Sequence, residues 1–250
     1  MVCTHHGNLH YHQRNLLKIV KLFFSFVAFF FSGILIAQTH TQMWLRGAIQ
    51  HDFTNKISAT AEYNHRTQSE VSSESLFRYP LCHAARLWIT YKLTANQSIH
   101  LSPYAFFSND PVVNKAGDEL KENANEHRLQ LQYESKYPWA KKWSIRNREG
   151  IEYRIFEKNP NLLRFRIREG IAYQLSNTWN LMIYDEFFLN TIQTENGHAF
   201  DQNRLGLQGT FQLNKSVKFD LGTNWILAKP RISDDVSTNY MFYIHMLYRI

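Results

Sequence analysis

From Gln38 to the end of the chain, hydrophobic residues fall at every second place in one run after another, and no segment shows a helical period. A period of two over roughly 9 to 13 residues predicts a strand with one apolar and one polar face. Ile57, Ala59, Ala61 and Tyr63 alternate with Ser58, Thr60, Glu62 and Asn64, and the run ends near Arg66. Leu87, Ile89, Tyr91 and Leu93 alternate with Arg86, Trp88, Thr90 and Lys92. Ile99, Leu101, Ala105 and Phe107 are read as one face, with His100, Ser102 and Tyr104 on the other. Similar runs start at Leu45, Leu129, Trp143, Leu163, Trp179, Leu205 and Val217, and the last ends Tyr240, Phe242, Ile244, Met246, Tyr248, Ile250.

The connections between runs alternate in length. Short polar turns are expected at 54–56, 94–97, 138–142, 176–178 and 214–216, and generally longer segments at 69–80, 109–125, 157–161, 191–202 and 230–237. Short turns at one end and longer loops at the other predict an all-β fold, an antiparallel transmembrane β-barrel of about 10–12 strands with periplasmic turns and extracellular loops. Phe53, Tyr91, Tyr137, Trp139, Trp143, Tyr173, Trp179 and Phe219 cluster beside the short turns, as in an aromatic girdle. A soluble sandwich or lipocalin-like barrel would turn its apolar face inward instead. Here the other face carries Arg, Glu and Gln on nearly every run, and the N-terminal export signal and the terminal strand favour the membrane arrangement with its apolar exterior. The runs number about eleven, whereas an even count brings both termini to one side. Twelve strands, or a ten-stranded wall with an irregular start, is therefore the expectation. A parallel pairing of the first and last strands is the other solution.

Residues 1–37 read as a signal peptide. Lys18 and Lys21 precede an apolar stretch from Leu22 to Ala37, and cleavage after Ala37 leaves 38–250 as the barrel. The His-bearing stretch Met1–Asn15 precedes an already adequate signal, as an annotated start placed too early would produce. The formal charge of +7 falls by three, for Arg14, Lys18 and Lys21, to +4 in the mature chain. No nucleic-acid motif accompanies it. The mean hydropathy of −0.41 excludes a bundle of membrane helices. Cys82 is the one thiol left after cleavage and is read as a small wall residue; no metal-type Cys/His spacing and no cofactor signature are present.

One local repeat stands out. Ile145-Arg146-Asn147-Arg148-Glu149-Gly150-Ile151-Glu152-Tyr153 echoes Phe165-Arg166-Ile167-Arg168-Glu169-Gly170-Ile171-Ala172-Tyr173 on consecutive, antiparallel strands. Arg146, Arg148, Arg154, Arg164, Arg166 and Arg168 then face one lumen, with Glu134, Glu152 and Glu186 as partners and Arg204 joining them. The column is either a basic constriction that attracts anions or an Arg–Glu network that fills a narrow barrel, and the second is favoured. Strict alternation leaves Glu149 and Glu169 on the lipid side unless bulges at Gly150 and Gly170 turn them inward.

Met43-Trp44-Leu45, the Arg-rich hairpin, Tyr184-Asp185-Glu186-Phe187-Phe188, Phe200-Asp201-Gln202-Asn203-Arg204-Leu205 and the final aromatic strand resemble the outer-membrane barrel family called domain of unknown function 2490, of the kind common in Bacteroidota. The resemblance implies an outer-membrane barrel and brings no activity or catalytic residues. The last strand also resembles the terminal signal read by the barrel assembly machinery, so that machinery and outer-membrane lipids are the expected partners.

The leading expectation is a structural barrel or a narrow channel with no enzymatic activity. One alternative is a lipid hydrolase. His100 and Ser102 share a strand face, but roughly 6–7 Å of strand separates their side chains, and Ser58 or His245 would have to complete a site. The other alternative is a binding protein or transporter working through loops 109–125 and 191–202. The first of these loops is rich in Asn, Asp and Glu, and a solvated loop is favoured over a weak cation site.

Overall fold

The structure, a computed structural model, describes residues 39–69, 75, 77–113, 117–190, 199–229 and 236–250. The signal-peptide expectation and most of segments 191–202 and 230–237 lie outside the described residues. Eleven strands follow in order: β1 (Thr39–Asp52), β2 (Ile57–Gln68), β3 (Tyr79–Thr94), β4 (Gln97–Asn109), β5 (Ala124–Ala140), β6 (Trp143–Phe156), β7 (Leu162–Gln174), β8 (Trp179–Asn190), β9 (Phe200–Gln212), β10 (Val217–Ala228) and β11 (Ser237–Arg249). Each pairs antiparallel with its sequence neighbour, and β1 closes the barrel on β11.

The closing pair corrects the expected even count. β1 and β11 run parallel in unbroken register from Thr39↔Thr238 to Gln50↔Arg249. Every hairpin reverses the chain, so an odd number of strands brings the first and last to the seam pointing the same way. The parallel ladder is slightly weaker per residue than an antiparallel one, but its full length leaves neither edge open.

Because side chains alternate across a strand, the sheet has a polar inside and an apolar outside. Leu131, Ile167 and Leu207 are each about half exposed on the exterior, whereas Glu62, Glu126, Glu152 and Glu186 are buried within. At the short-turn end, Trp143 contacts Tyr173 at 4.6 Å, and Trp179 stacks on Phe211 at 4.8 Å.

One run departs from the expected alternation. The register of β4 against β5 shifts between Ser102 and Ala105, around Pro103. Proline has no N–H to give the ladder and is tolerated in sheets at such irregularities. The shift reverses the inside–outside parity partway along the strand. Ala105 and Phe107 are therefore buried inside, while Ile99 and Leu101 remain on the outer side and Tyr104 joins them there, more than half exposed.

Candidate functional site

The polar lumen is the candidate site, and the Arg-rich hairpin forms its densest wall. In the β6–β7 register, Gly150 sits opposite Arg166, Arg146 opposite Gly170, and Arg148 directly opposite Arg168. The repeated motif thus pairs each glycine with an arginine of the other copy. A Cβ on Gly150 would lie 2.9 Å from Gln132 Cγ and 3.2 Å from Arg166 Cγ; one on Gly170 would lie 2.9 Å from the carbonyl oxygen of Ile183. These glycines make room for inward side chains and form no bulge, for the β6–β7 register is unbroken.

Glu149 and Glu169 accordingly stay on the outer side, and Asp185 joins them across from Glu169 on β8. Asn147 donates to Glu169 and, at 3.3 Å, to Glu149; Asn203 donates to Asp185 at 2.7 Å. The outer wall over β6–β9 therefore carries an acidic row hydrogen-bonded by amides.

All nine residues singled out from the sequence share the inward parity of their strands. Arg148, Glu152, Arg154, Arg164, Arg166, Arg168, Glu186 and Arg204 line one cavity of about 540 Å³; Arg146 lies nearer the short-turn end, outside that lining. Glu152 accepts from Arg164 Nε at 3.0 Å and Arg166 Nη1 at 3.1 Å, and Arg128 lies 3.9 Å away. Glu186 accepts from Arg166 Nε at 3.2 Å and faces Arg204 at 3.9 Å. Arg148 Nε donates to Glu134 at 2.9 Å.

Several partners in the lumen were not among the residues expected from the sequence. Glu126 accepts from Arg154 Nε at 2.8 Å and pairs with Arg128. Asp201 accepts from Arg164 Nη1 at 2.7 Å. Glu62 accepts from Arg86 Nε at 2.6 Å and meets Arg46 at 3.5 Å, and Arg86 Nη1 reaches Gln130 on β5 at 2.9 Å. Glu62, Arg86 and Arg128 had the correct parity to be found. Asp201 did not: the β8–β9 register shifts between Phe188 and Leu189, where Phe188 faces Gln202 and Leu189 faces Phe200, so Asp201 falls within the irregularity.

Aromatic rings were the other omission. Arg66 stands 3.8 Å from the ring centroid of Trp44 on β1, and Arg204 reaches from β9 to within 5.3 Å of it. Arg128 stacks over Phe107 at 3.8 Å. A second cavity of about 280 Å³ lies toward the short-turn end. The two cavities share Arg46, Arg86, Arg148, Arg166, Asp220 and His245, a charged waist contributed by six strands around the barrel.

The pieces of a hydrolase are not assembled as that alternative required. Ser102 Oγ donates to the carbonyl oxygen of Tyr104 at 3.3 Å, and His100 is hydrogen-bonded to Thr90 Oγ1 at 2.9 Å and Ser98 Oγ at 2.8 Å. In the acidic loop Asp118 pairs with Lys121 and Asn123 donates to Asp110 Oδ1, while Asp110 Oδ2 is buried without a partner among the described residues. No cluster of metal-ligating side chains occurs among the described residues.

The family described as protein of unknown function (DUF2490) matches residues 41–234, from the start of the closing strand β1 through β10. The chain belongs to this family. For this DUF2490 member no curated protein matches. Two solved structures are similar to it: OmpT folded in vitro, an outer membrane protein of Vibrio cholerae, and OmpT of the same organism expressed in the outer membrane. Both are 11% identical to the chain with a TM-score of 0.39, covering 75% and 77% of it. The matched region spans 57% and 59% of those chains, under two thirds of their length.

Proposed function

We propose that this chain is an outer-membrane barrel with a filled lumen, its short turns periplasmic and its loops extracellular, working as a structural wall protein and not as an open diffusion pore. The exterior supports the membrane reading: an apolar belt with an aromatic girdle at one end suits lipid, and a soluble protein rarely exposes so large an apolar surface. The observation that carries the filled reading is the charged waist, where Arg46, Arg86, Arg148, Arg166, Asp220 and His245 arrive from six strands between the two cavities. There Glu62 pairs with Arg46 and Arg86, and Arg166 with Glu152 and Glu186, which narrows the path from one cavity to the other. Lipids and the assembly machinery are the partners this reading requires.

Planar-bilayer recording tests it. The folded protein is expected to give no stable conductance steps, while Arg164→Ala and Arg166→Ala lower its resistance to urea. Stable anion-selective steps, identified by reversal potentials and weakened in those two variants, would establish a pore instead.

The acidic row offers an independent check of the exterior. Glu149 is exposed on the outer wall midway along β6, where a charge on the lipid face is costly. Replacing Glu149 with Leu is expected to stabilise the barrel in bilayers by about 1–2 kcal/mol, read from urea titrations. A loss of stability would show that this wall does not face acyl chains.

A further inference from the structure

The larger cavity holds more cation than its own carboxylates balance. Ten arginines and five carboxylates line it, and Glu62, Glu126 and Glu134 beside it pair with five of those arginines. Most of those arginines have a carboxylate within ion-pairing distance, but Arg66 has none among the described residues and donates no hydrogen bond there. Its Nε is buried and unpartnered, as is the Nε of Arg128. Arg204 shares the Trp44 ring with Arg66, and Arg86 and Arg128 share the Phe107 ring with it, all of the same sign.

Two shared rings draw three of these groups together. Arg66 and Arg204 approach Trp44, and Arg66 and Arg128 approach Phe107, where Arg66 stands 5.8 Å from the centroid. Ring stacking offsets part of the cost of crowding guanidinium groups, but it leaves Arg66 without an acceptor and Arg128 Nε unpartnered, although Arg128 pairs with Glu126 and Arg204 faces Glu186. Gathering like charges away from bulk water is costly unless an anion joins them.

We propose that this cavity binds a multiply charged oxyanion of the phosphate class, held by Arg66 with Arg128 and Arg204. Forked guanidinium donors match phosphate oxygens two at a time. Donors arriving from β2, β5 and β9 call for more oxygens and more charge than one carboxylate supplies. A volume of about 540 Å³ falls within the range of small-ligand sites and admits a phosphate group with a substituent. The proposal goes beyond the filled-barrel reading and does not depend on it: binding needs the cavity, and the absence of conductance needs the waist.

The test is calorimetric titration of the whole mature barrel, folded in detergent, with inorganic phosphate, pyrophosphate, citrate and chloride at constant ionic strength. Saturable binding of pyrophosphate, with phosphate weaker and chloride silent, is expected. Arg66→Gln should weaken it at least about tenfold, the loss of one charged hydrogen bond. Lys141→Gln, removing a charge at an exposed short turn, should leave it unchanged. Heat-dependent gel migration verifies that each variant is folded. If Arg66→Gln does not fold, Arg66→Lys decides, because it keeps the charge, loses the fork and is expected to bind about tenfold more weakly. No binding to the wild-type protein, equal binding of citrate or chloride, or unchanged affinity in the folded Arg66 variant would each overturn the proposal. Bilayer conductance is read separately, so a pore that still binds pyrophosphate would sink only the filled-barrel reading.

Discussion

Deleting Met246–Ile250 is expected to abolish the folded barrel, not merely weaken it. These residues carry the short-turn third of the seam: Gly47↔Met246, Ala48↔Leu247, Ile49↔Tyr248 and Gln50↔Arg249 on the β1 side, with Ile250 N donating to the Gln50 carbonyl at 2.9 Å. On the other side, Phe219↔Met246, Lys218↔Leu247 and Val217↔Tyr248 pair with β10, and Arg249 N donates to the Ser216 carbonyl at 2.7 Å. Their removal strips partners from two strands at once. In lipid each unmet backbone group costs several kcal/mol, with no water to replace the lost bond. The outer-membrane fraction of cells expressing the deletion should lack a heat-shifted band. Folded truncated protein at normal levels would show that the parallel seam is not needed to close the sheet.

Neutralising Glu152 is the second large effect. It is almost fully buried and answers Arg164 and Arg166 directly, with Arg128 close behind. Glu152→Gln keeps the shape and removes the charge, leaving crowded guanidinium groups with one counter-charge fewer. Breaking a buried pair by removing one partner costs about 3–5 kcal/mol, so a fall of that size in urea-unfolding stability is expected. The Glu134–Arg148 pair nearer the short turns is more than a quarter exposed on both sides, and water screens it. Glu134→Gln should therefore cost under about 1 kcal/mol. Equally small effects at the two sites would mean that the whole lumen is hydrated and that Glu152 holds nothing in place.

Much of the site was legible because its grammar is local. The hairpin repeat places its arginines on alternate residues of two consecutive strands, and a two-residue period needs no knowledge of distant neighbours to put them on one face. Glu134, Glu152 and Glu186 follow by the same parity, and they do pair with Arg148, Arg164 and Arg166. The bulges imagined at Gly150 and Gly170 did not follow. A glycine reads alike whether it bends a strand or clears space for an opposing side chain, and only the register against Arg166 and Arg146 separates the two.

Local alternation by itself determined that the chain forms strands, how many runs there are, where the turns fall and which face of the Arg hairpin is polar. Only the tertiary structure decided how the sheet closes, since β1 and β11 stand at opposite ends of the barrel sequence and nothing in either announces a parallel partner. It decided the parity flip at Pro103, because a bulge is a mismatch between two strands and belongs to neither alone. It also decided that Trp44, Arg66, Phe107, Arg128 and Arg204 share one cavity. Their meeting depends on the curvature of a closed barrel, which brings distant strands face to face across a lumen that no periodicity can describe.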